Sequence, residues 1–412
     1  MKTKLKLFSI ILAAVLLLGG CGYYVEVNEK SYVIAIGMDK GKNDLLRVSF
    51  MFSEPSAGDG ETGGEKKKEK DIVTLEAPTV YSAIRLLDTF RSKRIDVSHT
   101  KLIVFSRELA EEGIKNYVTD FVNNRSFRPS VYLSVSQGEA EKFFKSIEPK
   151  QDLYIEKYID RLFGKVTNND VNEAYLYYSY FNYVDGRGGN LLPLVGVSDK
   201  DKMEEAEKDY EYVRPDDFSS DYTADEIPID KKDAAILCGY AVFDEKKMVG
   251  TLGLMDSDLV RMMTKNLPNG EFSVYYPEKE QYVSINMHQV DKTAVSIKTG
   301  DIPEIDIEIR LMGEYSGFDK GFKSKAEYER FSGYISSVFT EKLNRLLKRS
   351  QTELCTDMFN LGDSAKKRFL TNSQWDAYNW SARYPTAKIN ARVIVDMNDL
   401  GELRYTPAGN ER

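Results

Sequence analysis

The sequence predicts a mixed α/β, α+β fold of two or three domains, each a central β-sheet packed with α-helices, behind a lipoprotein signal peptide. Three observations predict it. The first 22 residues read as an export signal that ends at a cysteine. Residues 31–147 alternate strand-like and helix-like runs, the mark of an α/β layer on one sheet. A period-two run at 302–311 is then followed by a long amphipathic helix.

The signal comes first. Lys2, Lys4 and Lys6 precede the apolar run Leu7–Leu18, and Leu18-Gly19-Gly20-Cys21-Gly22 follows. From Leu7 to Gly20 there are 14 uncharged residues, short of the ~20 a helix needs to span a bilayer. Small residues before Cys21 fit a site where the thiol is joined to diacylglycerol and becomes the new N-terminus. Two acyl chains hold a protein stably on a membrane, each buried CH₂ contributing ~0.8 kcal/mol. The remaining 392 residues are therefore expected to form an exported, membrane-tethered body.

That body is acidic. The chain carries −8, and losing three lysines with the signal leaves −11, which disfavours nucleic acid as a partner. Besides Cys21 only Cys238 and Cys355 remain, and the bland reading is two buried thiols.

In order along the chain, Ser31–Met38 and Leu45–Phe52 read as strands, with Leu46, Val48, Phe50 and Phe52 on one face. Glu54–Lys70 has no strong apolar side chain and reads as a mobile surface loop. Ile72–Leu75 resumes a strand. Pro78 opens a helix with Val80, Ala83, Ile84, Leu87 and Phe90 on one stripe. Lys101–Phe105 is a buried strand, and Ser106 is the N-cap of a helix with Ala110, Ile114, Tyr117, Val118 and Phe121 inward. Val131–Val135 and Glu139–Ile147 add a strand and a short helix, and Tyr154–Phe163 has helical spacing. The tyrosines 175, 177, 178, 180 and 183, with Phe181, are either a half-buried helix or a pocket lining, and the helix is the commoner use. Asp199–Asp230 holds 13 acids against four bases and reads as an exposed linker without calcium-loop spacing.

The second half opens with the strand Ala234–Phe243. Ile302, Ile305, Ile307, Ile309 and Leu311 then alternate with Glu304, Asp306, Glu308 and Arg310, one face inward and one in water. A helix from about Lys325 to Met358 follows, its stripe formed by Phe331, Ile335, Val338, Phe339, Leu343 and Leu346. Ile389, Ala391, Val393 and Val395 make a last alternating strand. The expected organisation is a signal peptide at 1–20 and an N-terminal mixed α/β region at 21–198. An acidic linker at 199–232 leads to a C-terminal sheet-plus-helix region at 233–408, with a further division near 264 left open.

Catalytic patterns are missing. The two histidines, His99 and His288, lie far apart, and no nucleophile elbow, phosphate loop or dinucleotide fingerprint occurs. The 65 acids allow many carboxylate pairs in space, but nothing singles out two. The expectation is a non-enzymatic binding or scaffold protein without metal or cofactor.

A series of short segments, in order behind the lipobox-like stretch, resembles the Ger(x)C-type spore-germination lipoproteins, the C subunits of nutrient germinant receptors. These are Ala35-Ile36-Gly37-Met38-Asp39-Lys40, Val73-Thr74, Ala83-Ile84-Arg85 and His99-Thr100-Lys101-Leu102-Ile103-Val104. Next come Glu108-Leu109-Ala110-Glu111-Glu112-Gly113-Ile114, with Arg125 and Arg128 after it, then Gly239-Tyr240-Ala241-Val242-Phe243 and Met248-Val249-Gly250. Asp357-Met358-Phe359-Asn360-Leu361-Gly362, Trp375, Trp380 and Tyr384-Pro385 complete the series. The chain departs from many relatives at Gly22-Tyr23-Tyr24, where they carry Trp-Asp after the cysteine. The resemblance implies two integral-membrane receptor subunits as partners, placement on the outer face of the inner spore membrane, and domains of mixed α/β structure.

The competing class is an extracytoplasmic solute-binding lipoprotein of a transporter. The candidate partner contact is the turn after the long helix, Asp357 and Leu361-Gly362, with the nearby Trp375. The structural alternative is that these residues cap the helix and close the core, in which case Trp375→Ala would cost ~3–5 kcal/mol.

Overall fold

The computed structural model describes residues 29–53, 71–148, 154–167, 175–185, 190–198, 231–264, 267, 269–316 and 324–397. The signal and Cys21, the loop 54–70 and the acidic stretch 199–230 lie outside the described residues. The first sheet is built from β1 (Lys30–Lys40), β2 (Leu46–Ser53), β3 (Ile72–Ala77), β4 (Arg94–Asp96), β5 (Leu102–Ser106), β6 (Tyr132–Ser136), β7 (Asn190–Val197), β8 (Ala235–Phe243) and β9 (Met248–Leu252). Its order is β3-β2-β1-β5-β6-β7-β8-β9, with β4 beside the start of β1. The centre, β1-β5-β6-β7, is parallel, and antiparallel pairs flank it on both sides.

Parallel neighbours need crossovers. They are supplied by α1 (Val80–Phe90), by α2 (Arg107–Glu112) with α3 (Lys115–Asn123), and by α4 (Ala140–Ser146), α5 (Ile155–Thr167) and α6 (Leu176–Asp185). The helices cover both faces, which is why β5 and β6 are buried at every residue. Ile103 and Phe105 pack toward α1, α2 and α3. Leu102 and Val104 pack on the other side with Phe143, Phe144, Ile159 and Phe163.

The helix expected after Ser106 is two helices. Ser106 does cap it, its Oγ accepting from the Leu109 N–H. Gly113 then interrupts it at φ +122°, and a Cβ there would sit 2.7 Å from the Lys246 carbonyl oxygen. The break thus lets the β8–β9 turn approach. Phe90 was expected inward on α1 but is 61% exposed, at the helix's last residue. The tyrosine-rich stretch is α6, with Leu176 and Ser179 buried and Tyr177 and Tyr178 outward.

The two flanks of the acidic stretch are neighbours. Residues Asn190–Val197 of β7 pair with Ala235–Phe243 of β8, and Ser198 exchanges backbone hydrogen bonds with Asp233 and Ala234. The first sheet therefore continues beyond residue 233.

After α7 (Leu254–Thr264), the second sheet comprises β10 (Gly270–Tyr276), β11 (Gln281–Gln289), β12 (Ala294–Lys298), β13 (Glu304–Ser316) and β14 (Lys388–Met397). On β13, Ile305, Ile307, Ile309 and Leu311 are buried, whereas Ile302 precedes the strand and is 51% exposed. The long helix α8 (Lys325–Thr352) lays Phe331, Ile335, Phe339, Leu343 and Leu346 on this sheet. It stops at Thr352, six residues before the expected Met358, because Leu354, Met358 and Phe359 bury by turning back into the core. Cys355 sits in that reversal at φ +50° and is exposed, contrary to the expectation of a buried thiol; Cys238 is buried.

A second row on α8 does different work. β14 is parallel to β13 and pairs with no other strand among the described residues. Asn344 donates to the Ala391 carbonyl at 2.9 Å and accepts from the Ala391 N–H at 3.4 Å. Thr340 Oγ1 accepts from the Val393 N–H at 2.9 Å, and Ser336 Oγ accepts from the Val395 N–H at 3.0 Å. Ser332 and Tyr328 donate to the Val395 and Met397 carbonyls. Polar residues four apart thus stand in for the missing neighbour strand, a covered edge in place of a sticky one. The chain returns to β14 through α9 (Leu361–Lys366), α10 (Asn372–Tyr378) and α11 (Trp380–Arg383).

Candidate functional site

The turn after α8 is held by one carboxylate. Asp357 Oδ1 accepts from the backbone N–H groups of Phe359 at 3.2 Å and Leu361 at 3.1 Å. Its Oδ2 accepts from the Gly362 N–H at 2.7 Å and from the Trp380 indole N–H at 2.9 Å. A Cβ on Gly362 would lie 2.9 Å from the Trp380 ring, so glycine is what lets the indole close over the turn. Burial pushes the Asp357 carboxyl up, against the pull of these four donors toward the charged form. Beside it the Tyr384 phenol, raised by burial and by the Asp357 charge, shares a 2.5 Å hydrogen bond with Ser350.

Asp357, Leu361 and Gly362 therefore face the interior; Asp357 is 4% exposed and Leu361 2%. The Asp357 carboxylate accepts all four of its hydrogen bonds from within the fold. Trp375, the fourth residue expected at a contact, is half-buried on the rim, where it stacks on Trp380 at 6.1 Å and Tyr378 at 6.2 Å and meets Phe369 edge-on at 5.6 Å. The buried tryptophan of the pair is Trp380, at 5%. Sequence reading put the weight on Trp375; the available signal was Trp380's place just before the Tyr384-Pro385 turn.

A second buried carboxylate joins the amino-terminal motifs. Asp39, at the end of β1, accepts from the N–H groups of Ala140 at 2.6 Å and Glu141 at 3.1 Å, capping α4 from across the sheet. Burial raises its pKa to about 6, partly offset by those two donors. The next residue, Lys40, pairs with Glu108 at 3.3 Å and with Glu112, so two stretches far apart in sequence meet at one corner. His99 packs edge-on against Tyr32 at 4.5 Å, with Ser98 Oγ 3.2 Å from its Nδ1. Thr100 lies at this opposite, N-terminal end of β1, its hydroxyl donating to the Val97 carbonyl at 2.8 Å.

Between α1 and α3 lies a cleft of about 220 Å³, lined by Leu46, Val80, Ile84, Tyr117, Phe121 and Phe127, with Asp120 at its wall. It is apolar enough to take a hydrophobic side chain. Among the described residues no group of three or more His, Cys, Asp or Glu is arranged to hold a metal ion.

Residues 23–197 match the family described as "Spore germination protein N-terminal domain", and residues 238–401 match "Spore germination B3/GerAC like, C-terminal". YfkR of Bacillus subtilis (strain 168) is 20% identical over 402 residues, 95% of each chain. Spore germination protein KC of the same organism is 26% identical over 154 residues, 36% of this chain and 38% of that one. The crystal structure of the GerBC protein shares the fold, with a TM-score of 0.52 at 14% identity, over 88% of this chain and 96% of the other. With both domain families matched in order and one fold across nearly the whole length, the chain belongs to the GerAC family of spore germination proteins.

Proposed function

We propose that the protein is a lipid-anchored, non-enzymatic subunit of a nutrient germinant receptor, held on the outer face of the spore membrane through Cys21. It works with two integral-membrane subunits in receptor assembly or signal coupling. The observation that carries this reading is the pair of spore-germination domains behind a cysteine in lipobox context. The best-buried acids, Asp39 and Asp357, spend their oxygens on backbone donors, which suits a scaffold. Among the described residues no helix is long and apolar enough to cross a membrane, so a tether outside them, at Cys21, is the natural attachment.

Replacing the cysteine tests the tether. Cys21→Ser should leave a folded body that is either unprocessed or released from membranes, and nutrient germination should fail while agents that bypass receptors still work. Cell fractionation after a high-salt wash reads the outcome. A Ser variant with its signal removed that stays in the membrane pellet would refute lipid anchoring.

A further inference from the structure

The segment joining α9 to α10 puts a leucine into solvent beside a run of cations. Leu370 is 93% exposed, the highest value of any large hydrophobic residue among those described. It is not a frayed end. Its N–H donates to Gln374 Oε1 at 3.0 Å, and Thr371 caps α10 by accepting from the Gln374 N–H at 3.2 Å, so the leucine is held outward by an ordered turn. Lys366, Lys367 and Arg368 come directly before Phe369-Leu370. None of the three has a carboxylate within salt-bridge distance among the described residues. Over 361–383 they and Arg383 outnumber Asp363 and Asp376, in a chain whose formal charge is −8. Phe369, next to the leucine, meets the half-buried rings of Trp375 at 5.6 Å and Tyr378 at 4.9 Å, and the Tyr378 hydroxyl donates to the Gly300 carbonyl at 3.0 Å.

We propose that this turn is a second membrane contact, in which Leu370 enters the interface of an anionic bilayer while Lys366, Lys367 and Arg368 meet lipid phosphates. Each component has its physical reason. An isolated leucine in water gains by entering the acyl boundary. Trp and Tyr favour the headgroup level, where one end of the ring is wet and the other apolar. Basic side chains near an anionic surface each strengthen binding roughly five-fold at physiological salt. A protein surface would also offer negative charge, but a lone protruding leucine backed by interfacial aromatics fits a bilayer better than a shaped pocket. A tether elsewhere in the chain would raise the local concentration of this weak site, making the attachment two-point. The proposal does not depend on the Cys21 anchor, because its test omits it.

The test uses the chain from residue 21 onward carrying Cys21→Ser, with phosphatidylcholine vesicles containing or lacking phosphatidylglycerol. The only two tryptophans, Trp375 and Trp380, both lie at this turn, so quenching by lipids brominated on their acyl chains reports on it directly. The protein should float with anionic vesicles, lose that binding at high salt, and show quenched tryptophan emission. Leu370→Asp should lower partitioning at least about ten-fold. Lys366→Gln, Lys367→Gln and Arg368→Gln together should lower it about 100-fold. Lys367, Arg368 and Leu370 are exposed and Lys366 is half-buried, and unchanged melting curves should confirm that the fold survives the substitutions. No flotation, equal binding to phosphatidylcholine alone, binding without quenching, or binding indifferent to both sets of substitutions would each overturn the proposal. Failure of the Cys21 experiment with vesicle binding intact would remove the anchor and leave this contact standing.

Discussion

Asp357→Ala should destabilise the protein by about 3–5 kcal/mol and sharply lower its level in cells. The substitution leaves the N–H groups of Phe359, Leu361 and Gly362 and the Trp380 indole without an acceptor in a dry interior. An orphaned buried donor costs ~1–3 kcal/mol, and several sharing one acceptor relax together, so the sum falls short of four full penalties. Trp375→Ala, on the half-exposed rim, should cost only about 1–2 kcal/mol, because less of its area leaves water on folding. Denaturant unfolding of the three proteins checks the ranking. An Asp357→Ala variant within about 1 kcal/mol of wild type would mean the Asp357 carboxylate does not hold the turn.

The polar row on α8 carries the other large effect. Ser336→Ala, Thr340→Val and Asn344→Leu combined should cost at least about 4 kcal/mol and make the protein prone to associate. Together they strip partners from the N–H groups of Ala391, Val393 and Val395 and from the carbonyls of Ala391 and Val393. Helix propensity does not explain such a loss, since Ala and Leu form helix better than Ser and Asn. Hydrogen exchange at residues 391, 393 and 395 should lose its protection before the rest of the sheet. Retained protection there would show that α8 is not the cover for this edge.

How far the sequence reveals this architecture depends on which physical signal each element carries. Elements with one dominant period were legible: the alternation over 304–311 and the stripe Phe331, Ile335, Phe339 and Leu343 both face the core. Strands β10 and β11 went unread although Phe272, Val274 and Tyr276 alternate, as do Val283, Ile285 and Met287; each has three buried apolar positions where 305–311 has four, a weaker form of the same signal. Gly113 looks in sequence like one weak helix residue, and only the contact with Lys246 shows why the helix must break there. The α8 polar row was written in the four-residue spacing of Tyr328, Ser332, Ser336, Thr340 and Asn344. It was masked by the apolar stripe on the same helix. At the candidate site, Asp357, Leu361 and Gly362 do come together, but facing inward around Trp380, where the Asp357 carboxylate supplies the acceptor that three backbone N–H groups and the indole need once the turn is buried. The surface of that region is instead the Lys366–Leu370 turn, which has no periodicity to betray it.

Receptor membership is tested most directly by isolating the tagged protein from spore membranes in mild detergent and identifying what comes with it. Two multi-span membrane subunits should be recovered in constant ratio, and both should be lost, along with nutrient germination, when the gene for this chain is deleted. Recovery with an ATPase-driven transporter instead, or normal nutrient germination without the protein, would contradict the receptor reading.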